Sequence, residues 1–492
     1  MGFEAFWESD SSARVTYLLI ATIECIFSRR LSVRYLSERE KNLMIQYTDT
    51  VVSLGDHTMN KNTKVIMQIR NNSLCTGCGT CAGVCPTEAI TIHLSEGVYV
   101  PEIEEEKCIR CGLCAESCPG YSVDFDGLNS KIFRKQPEDR SLGNYLGCYI
   151  GHSNDIGTRY NSASGGIASQ LLISALERGI IDGALVVRMK SDRPLETEAF
   201  IARTREEILH ASKSKYCPVA SNEALKQILN ENGKFAVVGL PCHIHGIRKA
   251  EEICKILKER IVLRIGLMCS HTVNYVGTEF ILEKLGIDKT CVKAISYRGN
   301  GWPGGMTVTL KDGSNSFIPL FGTWGSYWSI FSSYFFTPIR CIMCPDHTAE
   351  LSDISLGDAW LPELSYDKIG RSIIVTRTKI AEDILSLMSS AKAISVMAVD
   401  PTKVKQSQKL LLKFKKDFLG ARFSLLRLFG KQTPKFNIQT DPVWSPITFS
   451  KAFYPYLNIL LSSNKHVKSL LKYVPFPLFR LYFGIFKFLS LI

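Results

Sequence analysis

Two cysteine runs, Cys75-x2-Cys78-x2-Cys81-x3-Cys85-Pro86 and Cys108-x2-Cys111-x2-Cys114-x3-Cys118-Pro119, begin 33 residues apart. No other feature limits the fold of this chain so tightly. Four thiolates at this spacing can wrap one compact inorganic core, and the proline after each fourth cysteine completes the run that binds 4Fe–4S clusters. Structural zinc fits less well, because it usually takes two separated cysteine pairs rather than a fourfold run. Gly77, Gly79 and Gly112 suit a backbone that curls closely around a cluster and aims N–H groups at its sulfurs.

In bacterial two-cluster ferredoxins the fourth cysteine of each run ligates the other cluster. Cys75, Cys78, Cys81 and Cys118 are therefore expected to hold one cluster, and Cys108, Cys111, Cys114 and Cys85 the second. Ala89–Ile92 and Val98–Val100 read as small strands over the clusters. Glu102–Glu106 is an acidic stretch beside the second run, either a solvated face or a docking surface for a basic redox partner.

The chain has 492 residues, enough for several domains, and its 17 cysteines without a recognisable signal peptide point to a reducing, cytoplasmic setting. Its net charge of +12 is concentrated at one end. Residues 401–492 hold thirteen lysines and three arginines against two aspartates and no glutamate, so the preceding 400 residues sum to −2. No nucleic-acid motif accompanies this charge, and a nucleic-acid partner is not expected. The apolar run Val15–Phe27 contains Glu24 and is too short to span a bilayer. Arg480 and Lys487, seven apart in an apolar C-terminal stretch, make a narrow cationic face. That face suits either peripheral contact with the inner membrane surface or a helix docked on the body.

The organisation expected is an N-terminal extension over 1–70, a ferredoxin-type unit over 71–120, a linker over 121–150, an α/β domain over 151–400 and a basic helical tail over 401–492. Met59 is an alternative start to Met1, since residues 1–58 carry no recognisable chemistry. Within the α/β domain a helix is expected from Gly166 to Gly179. Strands are expected at Ala184–Val187, Phe235–Leu240, Ile261–Met268 and Ile373–Val375, and a hairpin at Met306–Gly313. The alternation argues for a mixed sheet, giving an α/β chain that is α+β overall.

Four further cysteines stand out. Cys242 and Cys269 fall at carboxyl ends of expected strands, where open α/β sheets place their sites, and Cys341 and Cys344 form a CxxC. Four converging thiolates would hold another 4Fe–4S cluster or a zinc ion; dispersed buried thiols are the bland alternative.

Six motifs carry a resemblance: Ala163-Ser164-Gly165-Gly166, Ser214-Lys215-Tyr216, Gly239-Leu240-Pro241-Cys242, Gly266-Leu267-Met268-Cys269, Cys341-x2-Cys344-x-Asp346 and Ala349 to Asp358. In this order the chain resembles the beta-subunit family of coenzyme F420 hydrogenases and dehydrogenases. Plant 7-hydroxymethyl chlorophyll a reductase is similar over the same domain. The resemblance implies one FAD and one 4Fe–4S cluster in the α/β domain, with Cys242, Cys269, Cys341 and Cys344 as ligands of that third cluster. It implies an iron–sulfur flavoprotein oxidoreductase, with a redox protein such as ferredoxin as partner and a small-molecule hydride donor or acceptor; reduced coenzyme F420 is a candidate substrate. A non-catalytic electron-relay subunit is the alternative.

Ser164, Gly165 and Gly166 stand before a helix whose N–H groups suit the FAD pyrophosphate. Lys213, Ser214, Lys215 and Tyr216 would add cations and a stacking ring. Gly239 and Pro241 would shape the turn that brings Cys242 to the flavin. His243, His245, His271 and His347 neighbour these positions as structural residues or proton donors. His243 replaces a residue that is commonly Gln in the family, so no role is carried over to it. Asp358 and Trp360 lie where specificity would be set.

Overall fold

The computed structural model describes residues 61–322, 326–438 and 445–491. The Val15–Phe27 run and the rest of the 1–58 extension lie outside the described residues, as does the side chain of Lys487.

A helix, Lys61–Asn71, leads into the first cysteine run, and Ile66 and Ile69 pack it under that run. Gly79 follows the second cysteine of the first run with φ 83°, and Gly112 follows the second cysteine of the second run with φ 84°. Each starts a four-residue helix, Thr80–Gly83 and Leu113–Glu116. A side chain is strained in this left-handed conformation, so both runs need glycine at the same register. Between them β1 (Ile90–Ser95) and β2 (Val98–Ile103) form an antiparallel hairpin.

The segment read as a linker is folded. It contains β3 (Ser122–Val123), a helix over Phe125–Phe133, and most of β4 (Gly147–Ser153), a strand inside the main sheet. The chain continues through β5 (Gly183–Met189), β6 (Thr197–Ala202), β7 (Phe235–Gly239) and β8 (Ile261–Leu267). β9 (Val292–Ser296), β10 (Gly305–Leu310) and β11 (Asn315–Pro319) make a separate antiparallel sheet, with the hairpin expected around Lys311-Asp312-Gly313 joining the last two. β12 (Ile354–Asp358), β13 (Ser372–Thr376) and β14 (Ile394–Ala398) return to the main sheet, and β15 (Lys435–Phe436) pairs with β3.

The main sheet runs β14-β4-β13-β12-β8-β7-β5-β6. Its centre, β12, β8, β7 and β5, is parallel, and the flanking pairs are antiparallel. Helices Ile167–Glu177 and Lys379–Ser390 cover one face, burying Leu171, Leu172, Ile384 and Leu385 against Val186, Ala236, Leu263 and Ile354. Helices Leu225–Asn230, Pro241–Ile253 and Lys255–Arg260 cover the other, with Ile228, Ile247 and Leu257 on Leu185, Phe235 and Val237. Each fully buried Leu or Ile contributes about 1.5–3 kcal/mol, which explains the near-continuous apolar runs of the central strands.

The basic C-terminal region is helical as expected, but it is built into the body. Helices Leu419–Leu428 and Pro446–Ser463 share one apolar cluster with Ile66, Ile69, Leu74, Ile342 and Met343, against which Cys75, Cys81 and Cys118 pack. Lys415 and Arg422 are fully buried. The last helix, Phe476–Leu491, docks through Phe479 on Phe335, and Arg480 donates to the carbonyl of Gly322 at 3.0 Å. Arg480 is thus engaged by the protein. Among the described residues no helix is long and apolar enough to cross a membrane.

Candidate functional site: three cysteine sets and a cavity

The eight ferredoxin-run cysteines divide between two small cavities. Cys75, Cys78, Cys81 and Cys118 line one, and Cys85, Cys108, Cys111 and Cys114 line the other. This is the crossed grouping expected from the spacing. Burial pushes the Cys75 thiol up to about 12, with neighbouring Cys118 adding to it, while the Gly77 N–H at 3.4 Å pulls the other way. Cys114 also rises to about 12, again chiefly through burial. Packed thiols that resist ionisation need a positive core between them before all four can be thiolates.

Cys242, Cys269, Cys341 and Cys344 come from three places: the helix after β7, the residues just past β8, and the turn over Ile339–Met343 with its cap. They converge: burial raises Cys242 far above the usual thiol range, and Cys269, Cys344 and Cys341 are among the charges that add to the shift. Among the described residues no three His, Cys, Asp or Glu side chains are arranged to hold a single metal ion. Cys78 is another charge felt by Cys242, so the first ferredoxin cavity abuts the third set.

A cavity of about 330 Å³ opens beside this third set, at the carboxyl ends of the parallel strands. Cys269 is part of its wall. Gly166, with φ 78°, starts the helix Ile167–Glu177 without a side-chain cap, and Ile167, Ala168 and Ser169 line the cavity. The first N–H groups of an uncapped helix lack intrahelical partners and attract anions. This end therefore fits a phosphate-bearing group. Ser164, Lys213, Ser214, Lys215 and Tyr216 line the same cavity. Val238, Leu240, Leu267 and Leu356 supply an apolar wall suited to a ring system.

Three expected positions lie behind the wall. The N–H of Gly165 donates to Ser372 Oγ at 3.0 Å, and an added Cβ would meet the Gly151 carbonyl at 2.5 Å and Ser372 N at 2.6 Å. Gly165 is thus a sheet-packing glycine, and Gly166 is the one of the pair that lines the cavity. Gly239 packs on His243 Cβ, and Pro241 occupies the first turn of its helix. Lys215 is also engaged: its ammonium donates to the carbonyls of Ala211, Ser212 and Lys213, closing the end of helix Arg205–His210. Lys213 Nζ has no hydrogen-bond partner among the described residues, and burial lowers its pKa.

The histidines are structural in their hydrogen bonding. His243 Nδ1 accepts from the Leu240 N–H at 3.1 Å, so its proton sits on Nε2, facing the Val219 carbonyl at 3.0 Å. His245 faces Asp346 Oδ2 at 2.8 Å. His271 lies between Ser270 Oγ and the Phe331 carbonyl, and His347 between the Cys269 carbonyl and Gln408 Oε1.

One member of the site has no counterpart in the motifs. Arg298 is buried and lines the cavity; it donates to Tyr216 OH at 2.9 Å and pairs with Asp358 at 3.3 Å. Asp358 also accepts from Trp302 Nε1 at 3.0 Å, and Trp302 lies against Trp360 with ring centres 4.6 Å apart. The glycine-rich run Gly299-Asn300-Gly301-Trp302-Pro303-Gly304-Gly305 next to Arg298 was the available signal.

Comparison with known proteins fits this geometry. Residues 148–226 match the model of the N-terminal part, and residues 232–402 that of the C-terminal part, of the coenzyme F420 hydrogenase/dehydrogenase beta subunit. The chain belongs to that family. Residues 74–123 match a 4Fe-4S dicluster domain. The beta subunit of coenzyme F420 hydrogenase from Methanosarcina barkeri is 29% identical over 259 residues, 51% of this chain and 80% of that one. Its counterpart from Methanothermobacter thermautotrophicus is 28% identical over 269 residues, 53% and 88% of the two chains. Coenzyme F420-dependent sulfite reductase of Methanocaldococcus jannaschii is 27% identical over 366 residues, 71% of this chain but only 51% of that relative. A solved chain from the F420-reducing [NiFe] hydrogenase complex of Methanosarcina barkeri superposes with a TM-score of 0.46 and 24% identity, over 62% of this chain and 98% of that one. The family match ends at residue 402, so Gln408 and Leu411 of the cavity wall and the buried Lys415 come from outside it.

Proposed function

We propose that the protein is an iron–sulfur flavoprotein oxidoreductase that binds FAD in the 330 Å³ cavity and three 4Fe–4S clusters in its cysteine sets. The observation that carries this reading is Cys269, which belongs both to the third cysteine set and to the wall of the cavity. Bound there, a flavin would exchange a hydride with a small molecule and exchange electrons singly with clusters.

The chain's own residues divide the work. The first N–H groups of helix Ile167–Glu177 and the ammonium of Lys213 hold the pyrophosphate. Val238, Leu240, Leu267 and Leu356 exclude water from the ring. Arg298, held by Asp358 and Tyr216, fixes the far side of the cavity. Cys242 hands the third set on to Cys78 of the ferredoxin unit. The second ferredoxin set ends the series at the surface, where Cys111 is exposed and Ile109 is 63% exposed beside the exposed Glu104, Glu105 and Glu106. We assign the docking of a redox protein partner to this edge. Reduced coenzyme F420 is the first small molecule to test, because the relatives named for an activity act with it.

The test is anaerobic purification with iron and flavin quantification, followed by a donor–acceptor screen that includes reduced F420 and viologen dye. Three clusters require about 12 iron atoms per chain. One FAD per chain and hydride-donor turnover support the reading. Full iron loading without flavin would instead identify a relay subunit.

A further inference from the structure

Lys415 is 2% exposed, yet no carboxylate pairs with it among the described residues. Its Nζ donates to the Cys341 carbonyl at 3.1 Å. Its charge reaches Cys269 and Cys341, where it opposes the upward push of burial on both thiols. It also reaches His271 and His347 on the cavity wall. Lys415 thus touches the third cysteine set and lies within electrostatic reach of the cavity wall. Buried ammonium groups are paired or they are costly. With a cluster bound, the negative charge facing Lys415 would be the thiolate set itself.

We infer that Lys415 is a charge-compensating residue of the third cluster, beside Arg340 and Arg422, and raises its reduction potential, a role supplied by the C-terminal region beyond the family match. The inference rests on reading Cys242, Cys269, Cys341 and Cys344 as cluster ligands. A 4Fe–4S core with four thiolates is already anionic, and reduction adds one more negative charge. A buried cation beside two of the ligands favours the reduced form and raises the potential, since net local charge is one determinant of cluster potential. A second lysine marks the selectivity. Lys249 Nζ donates to the Cys118 and Ser122 carbonyls, both at 2.7 Å, and its charge reaches Cys118 and Cys78 instead. Each of the two lysines, one buried and one half-buried, thus addresses a different cysteine set.

The experiment is an EPR-monitored redox titration of the full-length, iron-loaded protein. Parent, Lys415→Met, Lys415→Gln, Lys249→Met and the exposed control Lys413→Met are compared, with iron counted in each. Glutamine retains a donor for the Cys341 carbonyl and drops the charge. Both Lys415 variants are expected to disfavour reduction of one cluster about tenfold, about 59 mV for a one-electron couple, with the other two unmoved. Lys249→Met should move a different cluster, and Lys413→Met none. An unchanged potential with full iron overturns the inference alone. Loss of the third cluster's iron in both Lys415 variants also overturns it, making Lys415 a structural clamp. A parent with iron for only two clusters overturns the third-cluster reading and this inference together.

Discussion

The side-chain amide of Asn222 donates to the Thr80 hydroxyl at 2.8 Å and to the His243 carbonyl at 2.9 Å. One residue thereby ties the first cysteine run to the helix that carries Cys242. The Thr80 hydroxyl lies 3.1 Å from Cys78 Sγ, and Gly83 and Gly246 bring the backbones together there. A Cβ on Gly83 would fall 2.0 Å from the Asn222 carbonyl. The seam through which electrons would leave the ferredoxin unit is therefore a close-packed contact with no linker.

Asn222→Ala should lower stability by about 1–3 kcal/mol, because it strands buried polar groups on both sides of the seam. The urea midpoint measures this. The ferredoxin-set iron should remain, since none of the eight ligands is touched, and transfer from reduced ferredoxin clusters to flavin should slow in stopped-flow traces. A stable variant with parental transfer would show that the seam is held without Asn222.

Asp353 lies in the motif Ala349–Asp358, but its work is structural. It accepts from Arg248 Nη2 at 3.0 Å and from the Arg264 N–H at 2.7 Å, and Glu251 joins both arginines from the other side, at 3.1 and 2.7 Å. Asp353→Ala would leave two buried guanidinium groups sharing one carboxylate. The expected loss is about 3–5 kcal/mol, read as a large drop in denaturation midpoint.

Glu350 provides a pH test. Burial, with Asp346 nearby, pushes its carboxyl up to about 7, against the opposing charge of Lys416, with which it pairs. The folded state therefore holds a proton that the unfolded state releases near pH 4.5. The unfolded state binds fewer protons across this window, so stability from this group is present below pH 4.5 and is lost as pH rises through about 7. Glu350→Gln cannot titrate. Its urea midpoint should fall less than the parent's between pH 5 and pH 8; equal falls would mean that Glu350 is ionised throughout.

What could be read from the sequence was local. The first three cysteines of each run lie within seven residues and leave little conformational choice, and the crossed fourth followed from the two-cluster ferredoxin pattern. The helix after Gly166 and the strand before Gly239 followed from apolar period and glycine punctuation. What stayed hidden was non-local. Residues 147–150 of β4 looked like linker because the strand's partners, β13 and β14, lie more than 200 residues away. The C-terminal lysines looked like a solvated basic tail because composition does not show that Lys415 folds back onto Cys341. Lys215 and Gly165 were given to a phosphate because a motif names residues but not the direction of their N–H groups.

The cavity yields the last test, which separates cofactor contact from scaffold. Lys213 lines the cavity, has φ 70°, and carries a cation without a partner among the described residues. Lys213→Gln removes a charge from the proposed pyrophosphate site and touches no cysteine. It should weaken FAD retention about tenfold, the size of one 1.4 kcal/mol contact, with iron unchanged. Gly165→Ala should behave differently. Its Cβ would enter the backbone contact with Gly151 and Ser372, so the cost falls on β4 and β13, and soluble protein should drop before any selective loss of flavin. The measurement is the ratio of FAD to iron in the purified variants, alongside soluble yield. A Lys213→Gln protein with parental flavin would place the phosphate elsewhere along the cavity. A well-folded Gly165→Ala protein lacking only flavin would return that glycine to the cofactor.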